Sequence, residues 1–162
     1  MDQQRRRVLT VGGGLTAYRV GAYAVGLGTA WMPHSARSAE LWNQAAFAAN
    51  TLEDVILALG GPGGATESSE IHLDAPEIAE NGAVVPITVE SALPNTISIA
   101  LVIPKNPNAL SANFMIPDGT DAYVSTRIKM AESSDVYALV KSGDRYFYSR
   151  KLVKVTVGGC GG

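Results

Sequence analysis

Residues 85–90 read Val-Pro-Ile-Thr-Val-Glu, and residues 97–103 read Ile-Ser-Ile-Ala-Leu-Val-Ile. In both stretches apolar side chains recur at every second position, which is the period of a β-strand with one buried face. The same period returns over 124–130, 136–140 and 153–157. Because turn residues separate these short runs, the sequence predicts a mainly β fold, an antiparallel sandwich whose sheets each have one wet face. Pro86 favours an edge or bulge position, and the apolar positions from Ile97 onward are expected in the core.

One helix is predicted ahead of the strands, over residues 41–59. Its apolar face is marked by the helical spacing of Leu52, Val55, Ile56 and Leu59. Thr51 and Asp54 have the spacing of a capping pair, but the alanines before them favour a start earlier in the chain. The Gly-rich run over 60–64 is expected to end the helix.

Composition narrows the possible functions. The 162 residues include 13 Lys and Arg against 15 Asp and Glu, a net charge of −2. This balance excludes a simple electrostatic nucleic-acid binder. The single cysteine excludes an internal disulfide framework and a multi-thiolate zinc site, and two histidines argue against a His-rich metal centre. The charges are unevenly spread, since residues 40–104 hold nine acids and no Lys or Arg.

Residues 1–38 are predicted to be an export signal that is removed. Arg5, Arg6 and Arg7 precede a weakly apolar, Gly-rich stretch, and Ala36-Arg37-Ser38 fits a small-x-small cleavage site. The arginines before an apolar position are typical of the twin-arginine pathway, which predicts a periplasmic protein. An uncleaved anchor is the alternative, although Arg19 interrupts the apolar stretch. Without the signal the chain carries eight bases and fourteen acids, a net charge of −6.

The chain closes on Gly158-Gly159-Cys160-Gly161-Gly162 after a strand pattern. Four glycines offer no side chains to pack, so we expect residues 158–162 to form a flexible arm outside the 39–157 domain. Such an arm cannot hold a base or an oxyanion site beside the thiol, which argues against self-contained catalysis and leaves an enzyme as the third interpretation. It suits a covalent carrier whose thiol enters the active sites of other proteins. An accidental cysteine on a frayed end and an interchain disulfide that staples a structural dimer are the alternatives.

Other polar and aromatic residues allow two interpretations each. His72 lies in a predicted strand and is expected to be structural or solvent-facing rather than a metal ligand. The cations could steer an anionic substrate or acidic partners, or could simply line a wet strand face: Arg127, Lys129, Arg150, Lys151 and Lys154. The aromatic run Tyr146-Phe147-Tyr148 could anchor an interface or fill the edge of the core.

The chain resembles the SoxY family, the sulfur carriers of the bacterial thiosulfate-oxidising (Sox) system. The resemblance lies in the twin-arginine signal, the helix and four later segments: 76–86, 105–107, 124–134 and 154–162. It implies an immunoglobulin-like β-sandwich that forms a heterodimer with a SoxZ-like β-sandwich subunit. The terminal Gly-Gly-Cys-Gly-Gly motif is the most specific of these segments.

The resemblance also implies a mechanism in which Cys160 is the site of covalent substrate attachment. A haem-containing SoxAX-like enzyme is expected to conjugate thiosulfate to it, giving a cysteine S-thiosulfonate. A SoxB-like metal-dependent hydrolase then releases sulfate, and a SoxCD-like sulfane dehydrogenase can oxidise the remaining persulfide. The chain itself is expected to be non-catalytic, with no cofactor or metal of its own, no nucleic-acid partner and no membrane attachment once mature.

Overall fold

Two short helices precede nine strands in the computed structural model, which describes residues 43–61 and 64–157. The helices are α1 (Gln44–Ala48) and α2 (Leu52–Ala58). The strands are β1 (Ala65–Glu67), β2 (Ile71–Asp74), β3 (Ile78–Ala79), β4 (Val85–Ser91), β5 (Thr96–Val102), β6 (Leu110–Met115), β7 (Tyr123–Ile128), β8 (Ser134–Ser142) and β9 (Arg145–Val155). Within the described residues, neither helix is long enough to cross a bilayer.

The strands form two sheets, which confirms the predicted mainly β sandwich. The larger sheet has the order β1-β9-β8-β5-β6, with β3 also paired to β9, and the smaller has the order β2-β4-β7. The expectation of purely antiparallel sheets was wrong, because β1 and β3 both pair with β9 in parallel. Strand β9 is 11 residues long. Its early part therefore holds β1 and its last part holds β3.

The main core lies between the two sheets. Alternate residues of β4 and β5 meet there, and Leu101 and Val89 are both fully buried. The prediction that Ile97 belongs to this core was wrong, because its side chain is 37% exposed. The pairing of β5 with β8 shifts register between Thr96 and Ser98. A register irregularity of this kind breaks the regular alternation of a strand, so Ile97 falls outside the buried row.

A second core lies between the helices and the other face of the larger sheet. Ala100 and Val102 of β5 pack there with Val55 and Ile56 of α2. Strand β5 is consequently buried on both faces over most of its length. The expectation of one wet face on every strand was therefore wrong for β5, because the helices cover that face.

The single helix predicted over 41–59 is two helices in the described part of that range. Ala49 adopts an extended conformation and ends α1, and its carbonyl accepts a hydrogen bond from the Ala109 N–H at 2.9 Å. Thr51 then caps α2, since its side chain accepts from the Asp54 N–H at 3.1 Å. The capping pair thus marks a real helix start. The alanine run favours a continuous helix locally. The hydrogen bond from Ala109 to Ala49 depends on the tertiary fold, so the local sequence did not reveal the break.

The end of α2 shows why the Gly-rich run stops the helix, as predicted. Gly60 has φ +88°, and the N–H groups of Gly60 and Gly61 donate to the carbonyls of Leu57 and Ile56. This pair of bonds is a Schellman motif, which requires a left-handed residue at the first position beyond the cap. At Gly61 the need is close packing, because an added Cβ would lie 2.7 Å from both Ile56 Cγ2 and Tyr146 Cδ2.

Pro86 illustrates how a proline is accommodated in a central strand. Strand β4 lies between β2 and β7, so the predicted edge position does not hold for the strand as a whole. The pairing with β2 stops at Thr88, whereas the pairing with β7 continues to Val85. One side of β4 is therefore unpaired at Pro86, and the missing N–H breaks no bond to β2.

Tyr146 joins α2 to the larger sheet, so this residue of the aromatic run belongs to the core. Its ring is buried, and its hydroxyl donates to the Leu59 carbonyl at 2.6 Å. Burial raises the pKa of this phenol above its ordinary value of 10.0.

We expect Tyr146→Phe to lower the free energy of unfolding by about 1 kcal/mol at neutral pH, because the Leu59 carbonyl loses its donor. A phenol whose pKa is higher in the folded state stabilises fully below its unfolded pKa, and this contribution is lost as pH rises through the folded value. The deficit of the variant should therefore shrink above about pH 10. Urea unfolding across pH measures it. A deficit that stays constant into strong alkali would contradict the argument.

Candidate functional site

The predicted attachment residue, Cys160, and its four flanking glycines lie outside the described residues, as do Arg5, Arg6 and Arg7 of the predicted signal. The structure instead describes the segment that leads to the cysteine, up to Val157. We call residues 154–157 the arm root. Its geometry decides from which point of the domain Cys160 is presented.

Strand β3 and the turn after it hold one side of the arm root. Ile78 and Ala79 pair in parallel with Lys154 and Val155. Three backbone bonds and one side-chain bond continue the contact to the end of the described chain. They join Lys154 N–H to Glu77 O (2.9 Å), Thr156 N–H to Ala79 O (3.1 Å), Gly82 N–H to Val157 O (2.8 Å) and Thr156 Oγ1 to Glu80 O (3.0 Å).

The loop between β7 and β8 holds the other side. The Ser133 hydroxyl accepts from the Val155 N–H at 2.9 Å. Met130 donates its N–H to the Gly82 carbonyl at 2.7 Å, so this loop and the turn after β3 are bonded to each other. Every described residue of the root is thus joined to the rest of the domain by at least one hydrogen bond, as far as Val157.

Asn106 braces the same end of the sandwich. Its side-chain amide donates to the Lys129 carbonyl at 2.8 Å and accepts from the Ala131 N–H at 2.9 Å. Both bonds are made by one side chain across 23 and 25 residues of sequence. They connect the loop after β5 with the loop after β7, beside the arm root.

The predicted cations divide between two strands. Arg127 and Lys129 are exposed in or just after β7, Arg150 and Lys154 are exposed on β9, and Lys151 is half-buried. A hydrogen bond with the Tyr137 side chain, followed by the charges of Glu67 and Asp135, raises the pKa of the Arg150 guanidinium. The set is therefore not brought into one cluster, and only Lys154 belongs to the arm root.

The other predicted polar residues are dispersed. His72 is exposed on β2, and the described residues contain no group of three or more His, Cys, Asp or Glu that could hold a metal ion. A cleft of about 310 Å³ between β6 and β7 is lined by Asn106, Ser111, Ala112, Thr126, Arg127, Ile128 and Lys129. This lining contains no carboxylate and no imidazole, the usual general bases.

The comparison with protein families is decisive for this end of the chain. The model of the family described as "Sulfur oxidation protein SoxY" matches residues 58–160. This chain belongs to the SoxY family. The matched range covers the arm root and extends to Cys160, so the family pattern includes the cysteine as well as the domain that carries it.

A solved structure supports the assignment. The chain is similar to the sulfur carrier protein SoxY from Chlorobium limicola f thiosulfatophilum, with 36% identity and a TM-score of 0.60 over 65% of this chain and 96% of that one. A chain from a structure on T cell activation by the superantigen toxic shock syndrome toxin-1 matches at 14% identity, over 52% of this chain and 98% of that one, with a TM-score of 0.37, which is too low to inform the fold. The search of curated proteins found no match. Family and structure together support a carrier role in sulfur oxidation.

Sequence reasoning missed the residues that hold the arm root. A strand of two residues has no measurable period, so β3 could not be predicted from alternation. The one signal was the resemblance itself, because the segment 76–86 on which it depends includes β3 and the turn that bonds Val157.

Proposed function

We propose that this protein carries sulfur intermediates of thiosulfate oxidation as covalent adducts of Cys160. The observation that supports this most directly is the family match, which runs through residue 160 to the only cysteine in the sequence. A thiol that forms and breaks sulfur–sulfur bonds reversibly is the chemistry such a carrier needs.

The proposed cycle has two steps, one that forms the cysteine adduct and one that shortens it. In the first, the Cys160 thiol loses its proton and its sulfur bonds to the outer sulfur of thiosulfate, while a haem-containing SoxAX-like enzyme takes up the two electrons released. In the second, water attacks the sulfonate sulfur in a SoxB-like metal-dependent hydrolase. The bond between the two outer sulfurs breaks, sulfate leaves, and the cysteine keeps a persulfide that a SoxCD-like dehydrogenase can oxidise further.

The geometry of the arm root fits a carrier that works in trans. None of residues 154–157 is a histidine, and the hydrogen bonds of this segment all join it to the rest of the domain. Activation of the thiol is therefore assigned to the partner enzymes, which need direct access to it. Three residues lead from Val157 to Cys160, and an extended chain of that length spans at most about 11 Å.

Location and assembly follow from the same proposal. Residues 1–38 act as a twin-arginine signal, and the mature protein works in the periplasm, where soluble Sox enzymes meet it. It forms a heterodimer with a SoxZ-like β-sandwich subunit. The carrier itself contributes no catalytic group and binds no cofactor.

Mass spectrometry of the purified carrier tests the proposal. After incubation with thiosulfate and the conjugating enzyme, we expect the intact mass to rise by one S₂O₃ unit and the adduct to map to the peptide that contains Cys160. A non-reducing gel run beside it addresses the structural alternative. A disulfide dimer that persists while thiosulfate is being oxidised, with no adduct, would overturn the proposal in favour of a structural subunit.

A further inference from the structure

Large apolar side chains are exposed around the point at which the domain presents the arm. Four of them are each more than half exposed: Ile78 (60%), Val84 (54%), Leu152 (54%) and Val157 (63%). We call these four residues the root patch. Single exposed apolar residues are ordinary on protein surfaces, whereas several on one region mark an interaction site.

Two members of the root patch lie on the outer face of the larger sheet. Ile78 is in register with Lys154, and Leu152 precedes Lys154 by two residues, so all three side chains are on one side of the sheet. Toward the start of β9 the same face is covered by the helices, and Tyr146 packs against them there. The helices leave the part of the face beside the arm root uncovered.

The other two members lie at the end of the sandwich, on backbone that is bonded together. The Gly82 N–H donates to the Val157 carbonyl, and the Val84 N–H donates to the Asn81 carbonyl. A turn held in this way presents Val84 and Val157 at little cost in conformational entropy when a partner binds.

We propose that the root patch, together with the neighbouring Lys154, is the docking surface for the haem-containing enzyme that conjugates thiosulfate to Cys160. This inference rests on the proposed function. The argument is one of reach: the cysteine follows Val157 by only three residues, which span at most about 11 Å. An enzyme whose reactive centre is recessed by several ångströms can bond to the sulfur only if its surface touches the residues around the arm root.

Charge indicates the chemistry of the partner surface. Lys154 is exposed between two apolar side chains, and its ammonium forms no ion pair with a carboxylate of the described residues. The partner surface that fits this arrangement is an apolar rim around the active-site entrance, with a carboxylate opposite Lys154. A patch of four apolar side chains is small, and small interfaces are typical of transient complexes, which a carrier needs because it must leave each enzyme.

The test is conjugation kinetics with the full chain in its heterodimer and the haem-containing conjugating enzyme. We expect two double variants each to raise KM for the carrier about tenfold and to leave kcat within about twofold. They are Val84→Thr/Val157→Thr, in which each substitution is nearly isosteric, and Ile78→Thr/Leu152→Thr. The matched control is Met115→Thr/Tyr123→Thr. Met115 is 66% exposed and lies in register, across β5 and β8, with Tyr146 at the start of β9, about 26 Å along the strand from Lys154.

Three accompanying measurements distinguish the possible failures: the alkylation rate of Cys160, retention of the heterodimer and adduct formation by the wild type. The rate at which iodoacetamide alkylates Cys160 should be the same in all variants, because the thiol itself is unchanged. Kinetics that do not distinguish the root-patch variants from the control would overturn the docking surface and leave the carrier function intact, provided the wild type forms the adduct. Loss of the heterodimer in a root-patch variant would also overturn it, since the patch would then bind the partner subunit. Absence of any adduct on the wild type contradicts the proposed function instead.

Discussion

Cys160→Ser is expected to abolish thiosulfate-dependent turnover of the reconstituted system, with a loss of more than about 100-fold. A serine hydroxyl keeps the size of the side chain but forms no sulfur–sulfur bond under these conditions, so no intermediate can be held between enzymes. Cys160 is the sole cysteine of the sequence, and no second thiol of the chain can substitute for it. The measurement is sulfate release and reduction of the haem partner, with the heterodimer at equal concentration.

The control for this variant is Met115→Thr, which changes an exposed side chain far from the arm root and should retain full turnover. Stability should not differ, because residue 160 follows the segment whose bonds fasten the domain. Thermal unfolding of the Ser variant therefore accompanies the assay. If Cys160→Ser turned over thiosulfate at the wild-type rate with unchanged stability, the carrier role would be ruled out. This conclusion would not depend on whether the root patch is a docking surface.

Strand alternation predicted the sandwich because five of its strands have a buried row that faces the other sheet. Strand β5 shows where the argument stops. Its residues from Ile99 to Val102 are buried on both sides. The alternation of Ile99 and Leu101 indicates one buried face, but the small apolar residues between them do not reveal that the other face is covered as well. The helices were predicted, but their docking on β5 depends on contacts distant in sequence, such as that of Leu59 with Tyr146.

The short parallel strands were beyond prediction for a different reason. Strands β1 and β3 have three and two residues, and their order is imposed by the long β9 with which they pair. Their existence follows from a partner more than 70 residues away rather than from local propensity. The same holds for the break between α1 and α2, where the bond from Ala109 to Ala49 outweighs the helix preference of alanine.

The candidate site divides in the same way. The sequence alone predicted the cysteine, its glycines and the cations as candidate site residues, because the reactivity or charge of each follows from its residue type. The root patch could not, since Ile78, Val84, Leu152 and Val157 have the same apolar character as core residues. The pairing of β3 with β9 and the bond from Gly82 to Val157, which bring Ile78 and the Gly82 turn to the arm root, are contacts between residues distant in sequence.

Leu101→Ala is expected to lower the free energy of unfolding by about 3 kcal/mol, within the range of 2–5 kcal/mol typical of buried leucines. Leu101 is fully buried in the core between the sheets, on β5, which lies between β8 and β6 in the larger sheet. Its β8 and β6 partners, Ala138 and Ala112, are small, so neighbouring side chains have little volume with which to fill the space. Denaturant unfolding of the mature heterodimer at fixed protein concentration measures the loss.

Leu57→Ala is the matched control, since the same atoms are removed from a side chain that is 60% exposed on α2. We expect a change within about 0.5 kcal/mol, because exposed sites away from special features contribute little. Below its unfolding transition Leu101→Ala should still accept the sulfur adduct, because residues 154–157 are held by backbone bonds of β9 and β3 rather than by this side chain. Equal losses in the two variants would mean that the core between the sheets does not sustain the domain, and an adduct lost from the folded Leu101→Ala protein would mean that the arm root depends on that core.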